Sequence, residues 1–331
     1  MARRASSPGR VTILGEHTDY NGGVALGVAT AERTTVDLVR RADGRVEVRS
    51  AALGVASGPL AATSGTAFLR LATALVRAAC MDGATLLVGG DLPIGAGMSS
   101  SAAYAVATAL ALGIKGSALE IATTCRAAEA VSGSDVGLLD QLVVLHATRG
   151  TVVDLDFESG AVSTFALSDA VALSVVDTGE RREVAGSAYA QRRAECARAS
   201  AAVGTLGQAT AADVARITEP VARRRARHVV TECARVVQGR EALRTGDLAA
   251  LGALLDEGHT SLRNDFEVTT PRVEAVRDEV LLTPGVAGAR LVGAGFGGCL
   301  VVAHDPAVDL RDRGLPSRRL LPGPGASVSR R

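Results

Sequence analysis

Three groups of residues in this chain could do chemistry. The first is Pro93-Ile94-Gly95-Ala96-Gly97-Met98-Ser99-Ser100-Ser101-Ala102-Ala103. Its glycines let the backbone approach a ligand closely, and its serines supply hydroxyls where a helix should begin. Free N–H groups and the positive end of the helix dipole make such a place an anion site, and phosphate is the usual anion. A Gly-rich turn with a serine N-cap is the plainer reading, yet three consecutive serines exceed what one cap needs. The only lysine, Lys115, lies outside any G-x-x-x-x-G-K-[ST] pattern, so a nucleotide here would rest on backbone amides, hydroxyls and a metal.

The second group is Glu16-His17-Thr18-Asp19-Tyr20-Asn21-Gly22-Gly23, a polar octet ending in a strong turn signal. A solvated hairpin loop would account for its polarity alone. However, Glu16 and Asp19 accept hydrogen bonds from hydroxyls and His17 donates or accepts, a combination that suits a polyhydroxylated ligand. The third is Asp140, between leucines and ahead of Leu142-Val143-Val144-Leu145. A carboxylate so placed is costly to bury without a partner, unless it is simply the N-cap of the next helix.

The elements that position these groups follow from pattern. Residues 10–15 read as a short buried strand feeding the polar octet. Residues 85–90 form a strand and 102–113 an Ala-rich helix on either side of the glycine–serine loop. The runs 36–39 and 45–48 alternate apolar and polar, as antiparallel strands do, whereas 51–65 carries no pattern. Helices are expected over 67–81 and 119–131, and strands over 151–155 and 171–176. From there to 282 the pattern is helical (187–203, 211–217, 222–245, 248–261, 272–282), and strands return at 289–292 and 299–303. This is an α+β chain in two parts. The acidic, Gly- and Ser-containing stretch 157–168 marks the boundary, giving domains 1–167 and 168–331. Gly293-Ala294-Gly295-Phe296-Gly297-Gly298 satisfies G-x-G-x-x-G literally, but a strand-like run follows where a dinucleotide fold needs a helix. It reads better as a glycine loop packed against a ligand or another loop.

Composition narrows the function classes. The chain has 331 residues, 47% of them apolar and only 2% aromatic, with no Trp, so Ala, Val and Leu must build the core. A formal net charge of +1, with no basic stripe interleaved with aromatics, gives no reason to expect nucleic acid. No run approaches a membrane span, and the short basic start shows no signal peptide. Cys80, Cys125, Cys196, Cys233 and Cys299 are scattered and odd in number, which suits a reducing cytoplasm better than a disulfide framework or a zinc site.

Taken together, three stretches resemble one family. Residues 9–23 resemble the first galactokinase motif. Residues 93–103 resemble the phosphate loop of the GHMP small-molecule kinases, the family that includes homoserine, mevalonate and phosphomevalonate kinases, and residues 293–299 resemble its third motif. Weaker similarity fills the gaps, at 189–196, 227–230 and 259–265. The resemblance implies a ribosomal protein S5 domain 2-like N-terminal domain holding ATP and sugar, and a ferredoxin-like C-terminal domain, with the site between them.

It also implies roles. Glu16, His17, Asp19, Gly137 and Tyr189 would contact the sugar, and Arg10 and Asp140 would flank its anomeric hydroxyl. Gly95, Ala96, Gly97, Met98, Ser99, Ser100 and Ser101 would hold the ATP phosphates. Ser100 or Ser101, with Glu129, would hold Mg²⁺. Phosphoryl transfer mostly needs alignment and charge neutralisation, with a carboxylate near the attacking hydroxyl, either as base or as electrostatic guide. The chain departs from the motif at 24–28 and 133–137, which border the sugar pocket. The expected activity is a galactose 1-kinase using ATP and Mg²⁺. The alternatives are the same chemistry on N-acetylgalactosamine, a uronic acid such as galacturonate, arabinose or a pathway-specific sugar, or a non-catalytic sugar and ATP sensor.

Overall fold

A computed structural model describes residues 3–95, 97–133, 136–180 and 186–330. Two sheets organise the chain. The first begins with β1 (Arg3–Leu14) and β2 (Val24–Arg40), which run antiparallel along nearly their whole length. β3 (Arg45–Ser50) and β4 (Gly54–Pro59) form an antiparallel pair at the edge. After helix α1 (Ala67–Ala78), strand β5 (Ala84–Gly90) inserts between β2 and β3, antiparallel to the former and parallel to the latter. The alternating runs at 36–39 and 45–48 are therefore strands, as expected, but they do not pair with each other. Alternation reports that one face of a strand is buried and says nothing of which strand lies beside it. β4 lies inside a segment that carried no sequence signal, because its Gly, Ala, Ser and Pro residues are poor strand formers.

Helix α2 (Ser100–Leu112) follows the glycine–serine loop and packs on β1, β2, α1 and the next helix, α3 (Ala118–Ser132). Residues Ala102, Ala103, Ala105, Val106, Ala107 and Ala109 are all buried. A helix apolar all round belongs in a core, and alanine lets its neighbours approach closely. α3 opens on a capping box formed by Ser117 and Glu120. α4 (Leu139–His146) then leads into β6 (Thr151–Asp156) and β7 (Val162–Ala166), a hairpin attached through β6 to β2. The acidic stretch 157–168 between the expected domains thus carries a strand of its own.

The second sheet is built by β8 (Ala172–Asp177) and, late in the chain, β9 (Val286–Val292), β10 (Cys299–His304) and β11 (Ser317–Arg319), in the order β11-β8-β10-β9. Between them come α5 (Gly186–Val203), α6 (Ala211–Arg216), α7 (Pro220–Thr245), α8 (Leu248–Ser261) and α9 (Pro271–Leu281). A five-residue π-helical turn, Leu262–Phe266, extends α8. The chain ends with β12 (Ser327–Arg330), which returns to the first sheet beside β1. One apolar cluster joins the two sheets: Val11, Ile13 and Leu26 share it with Leu173, Leu255 and Val301. No helix among the described residues is long and apolar enough to cross a membrane.

Candidate active site

The three residue groups converge where the C-terminal end of β1, the N-terminal end of α2 and the start of α4 meet. Arg10 is 6% exposed near the end of β1. Its backbone N–H donates to Met98 O at 3.1 Å, and its guanidinium reaches Gly97 O at 3.3 Å. Gly9 makes this approach feasible, since a Cβ there would lie 2.6 Å from Met98 O. The glycine–serine loop is thereby seated directly on β1.

Asp140 is the second residue of α4. It is not an N-cap; that position belongs to Leu138, which makes no side-chain cap bond. Instead Oδ1 of Asp140 accepts from Arg10 Nε at 2.6 Å and lies 2.5 Å from Arg10 Nη2, while Oδ2 accepts from Ser99 Oγ at 2.6 Å. The partner that a carboxylate among leucines required is Arg10, 130 residues earlier in the chain. Burial works against the Arg10 charge, yet the nearby carboxylates of Asp140 and Glu16 hold its pKa above the ordinary arginine value.

The serines divide their work. Ser99 occupies the N-cap position of α2 in a left-handed conformation (φ 53°), but its hydroxyl goes to Asp140 and caps nothing. Ser101 Oγ donates to Glu129 Oε1 at 2.8 Å, and the amide of buried Gln141 donates to Glu129 Oε2. Burial, reinforced by the Asp140 charge, pushes the Glu129 carboxyl up to about 7 even though Ser101 and Gln141 bond to it. Ser100 and Ser101 open onto a cavity of about 630 Å³, whose apolar wall includes Phe68, Leu71, Val88 and Tyr104. Gly95 and Gly97 have positive φ, Met98 turns its side chain into the core, and Ala96 lies outside the described residues.

The polar octet forms a tight turn beside this junction. Glu16 and His17 are 5% and 4% exposed, and His17 holds φ 66°, a strained value for a non-glycine residue. Asn21 Nδ2 fixes that conformation by donating to His17 O at 2.7 Å. The His17 ring stacks on Phe266 at 4.3 Å between centroids and lies 5.9 Å from Tyr189. Burial drives the Asp19 carboxyl up to about 6, helped by the charges of Asp140 and Glu16 and opposed by hydrogen bonds from the Tyr20 and Leu139 N–H groups. Glu16 is likewise raised, chiefly by burial. Gly137 packs so tightly against Asp19 that a Cβ would sit 1.5 Å from its Oδ2. Every residue expected to touch a sugar is therefore drawn into one cluster.

The third glycine cluster lacks the following helix that a dinucleotide fold requires. Strand β10 follows it, and its backbone packs on other loops: Phe296 N–H donates to Val268 O at 2.7 Å and Gly298 N–H to Glu180 O at 3.0 Å. Sequence reasoning missed His228, Glu232, Phe266 and Arg290, which support the turn from below. His228 and Phe266 sit in or beside stretches of weak family similarity. Glu232 and Arg290 carry no signal, since a charged residue in a helix or strand pattern reads as solvated. Ser134 and Asp135, among the departures noted near the pocket, lie outside the described residues.

A part-buried carboxylate–arginine pair, a polar turn and a glycine–serine loop meet around one point, an arrangement that suits a small-molecule phosphotransferase, and comparison with known proteins agrees. The GHMP kinases N terminal domain matches residues 66–148, the GHMP kinases C terminal model 240–312, and the galactokinase galactose-binding signature 2–47. A galactokinase of Mycobacterium tuberculosis strain H37Rv is 37% identical over 92% of this chain and 90% of its own. That of Homo sapiens is 34% identical over 89% of this chain and 82% of its own. The Lactococcus lactis galactokinase, solved with galactose, superposes with a TM-score of 0.86 at 26% identity, covering 98% of this chain and 95% of that one. The mevalonate kinase of Methanococcus jannaschii, at TM-score 0.65 and 16% identity over 99% and 98% of the two chains, shares the fold. The protein thus has the two-domain α+β fold of the GHMP kinases. Within them, the chain belongs to the galactokinase family.

Proposed function

We propose that the protein transfers the γ-phosphate of ATP to the anomeric hydroxyl of galactose. The observation that carries this reading is the bonding of Asp140 to both Arg10 and Ser99, which ties the end of the strand leading into the sugar-binding turn to the phosphate loop. In this reading Glu16, His17, Asp19 and Tyr189 bind sugar hydroxyls, and Gly137 leaves space for the Asp19 carboxylate. The loop amides of 95–101 hold the phosphates, and the apolar cavity beside Phe68 and Tyr104 takes the base.

Among the described residues no cluster of His, Cys, Asp and Glu could hold a metal by itself. The Glu129 carboxylate and the Ser100 or Ser101 hydroxyl are nevertheless hard oxygen donors of the kind Mg²⁺ takes, one or two at a time, beside phosphates. When bound there, Mg²⁺ neutralises charge on the phosphates. The sugar oxygen forms a bond to the γ-phosphorus, the bond from that phosphorus to the ADP oxygen breaks, and the hydroxyl proton passes to Asp140. Arg10 orients Asp140 and compensates the charge gathering between hydroxyl and phosphate.

ADP release measured with MgATP across a panel of free sugars tests the acceptor, and turnover confined to another sugar would replace galactose in this account. Asp140→Asn should lower kcat by roughly 100-fold or more with the ATP affinity kept. Turnover within a few-fold of wild type would remove Asp140 from the chemistry.

A further inference from the structure

The turn that carries Glu16, His17 and Asp19 lies in the first half of the chain and is closed by bonds of its own, from Thr18 and Asn21, but two further bonds to its backbone come from α7. Gly15 N–H donates to Glu232 Oε1 at 2.6 Å, and the Glu16 carbonyl accepts from His228 Nε2 at 3.1 Å. His228 and Glu232 are four residues apart, hence on one face of the helix, and both are 0% exposed. From a third side Gly293 N–H donates to Glu16 Oε1 at 2.6 Å.

The protonation of His228 follows from its partners. A carbonyl oxygen only accepts, so Nε2 carries the hydrogen. Burial disfavours the imidazolium and pushes its pKa down to about 4, so the ring is neutral at ordinary pH. Nδ1 then offers a lone pair, and Ser261 Oγ, 2.9 Å away at the end of α8, donates to it. Phe266 packs on the His228 ring with centroids 4.6 Å apart and stacks on His17 from the same ring. Each polar atom of the buried imidazole is satisfied, and an apolar residue of similar size would leave the Glu16 carbonyl without its donor.

We propose that His228 is a positioning residue for the acceptor sugar: its Nε2–H holds the Glu16 carbonyl, and through it the backbone that aims the Glu16, His17 and Asp19 side chains, while Ser261 selects the tautomer that can do so. The inference rests on the reading of that turn as the sugar site. The groups that the His228 ring meets, Glu16, His17, Ser261 and Phe266, all lie outside the phosphate loop, so its loss should be felt by the sugar and not by the nucleotide.

The test is steady-state kinetics with galactose and MgATP, and galactose titration calorimetry, on wild type, His228→Leu, His228→Gln and Ser261→Ala. A glutamine amide N–H can stand where Nε2–H stands; leucine cannot donate. His228→Leu should raise KM and Kd for galactose about tenfold with KM for ATP within about twofold, and His228→Gln should restore most of the loss. Ser261→Ala should raise KM for galactose about threefold, and its histidine ¹⁵N spectrum should show both tautomers of a ring that is Nε2–H alone in wild type. Should His228→Leu prove too unstable to assay, His228→Gln and Ser261→Ala carry the test alone. Equal KM values for galactose and ATP across the series, or leucine and glutamine variants that behave alike, would overturn the positioning role. Wild-type protein that binds ATP but neither binds nor phosphorylates galactose would instead overturn the acceptor reading on which the inference stands.

Discussion

Two clusters of buried charge lie within a few residues of each other in this fold, and their carboxyls shift in opposite directions. Around the proposed reaction centre, Glu16, Asp19, Glu129 and Asp140 are compensated chiefly by Arg10. Burial raises three of these carboxyls, Asp19 to about 6 and Glu129 to about 7, with Glu16 moving the same way. Beneath the turn, Glu232 is just as deeply buried, and burial alone would raise it too. Yet Arg290 Nη1 at 2.6 Å, Arg235 Nε at 2.9 Å and the Gly15 N–H hold it well below the usual carboxylate range. In the lower cluster the carboxylate is fully countered by guanidinium charge without a ligand. The upper one carries more negative charge than its surroundings neutralise, which is the condition expected of groups that await hydroxyl donors and a cation. Stability is concentrated in the first arrangement and function in the second.

The comparison can be broken most forcefully at Glu232. Glu232→Gln keeps an acceptor for Gly15 N–H but strips the countercharge from Arg290, which is 0% exposed and whose Nε and Nη2 find no hydrogen-bond partner among the described residues. Leaving that guanidinium buried should cost about 3–5 kcal/mol in denaturant unfolding. A variant as stable as wild type would show that the lower cluster is not a structural element at all.

The upper cluster should answer with the reverse sign. Asp19 has a folded pKa of about 6 against a reference of 3.8, so folding favours its protonated form. Its contribution to stability is fully present below pH 4 and is lost as pH rises through 6. Asp19→Asn should therefore stabilise the protein at pH 7.5 by about 1–2 kcal/mol, the partial exposure of Asp19 to the cleft trimming a larger nominal value. The gain should vanish near pH 4, and galactose affinity should fall. A variant destabilised at pH 7.5 would mean that the Asp19 charge is already compensated.

The smallest effect sharpens the contrast in wild type. Galactose affinity should decline about three- to tenfold between pH 7 and 5 as Asp19 takes up a proton and loses an acceptor site. Calorimetric titration at several pH values reads this directly. A flat profile would assign the sugar contacts to groups that stay ionised, and the Asp19→Asn variant should be flat in any case.

Much of this molecule was legible from the chain. The α8 segment matched its expected bounds because Asp247 caps a run of Ala and Leu, both local signals. The glycine–serine loop opened a helix, and the octet at 16–23 formed a turn, because Gly admits positive φ and Asn and Ser bond to their own nearby backbone whatever surrounds them. Asp140 was recognisable as a carboxylate in need of a partner. What could not be read was the identity of partners distant in sequence. The placement of β5 between β2 and β3, the return of β12 to β1, the use of Ser99 on Asp140 rather than on its own helix, and the support of Gly15 and Glu16 by Glu232 and His228 are all choices among chemically equivalent neighbours. Local propensity depends on a few adjacent residues and so is written in the sequence. Which buried charge meets which, and hence whether a carboxylate becomes a strut or a reactive group, is decided only when the chain closes and excludes water.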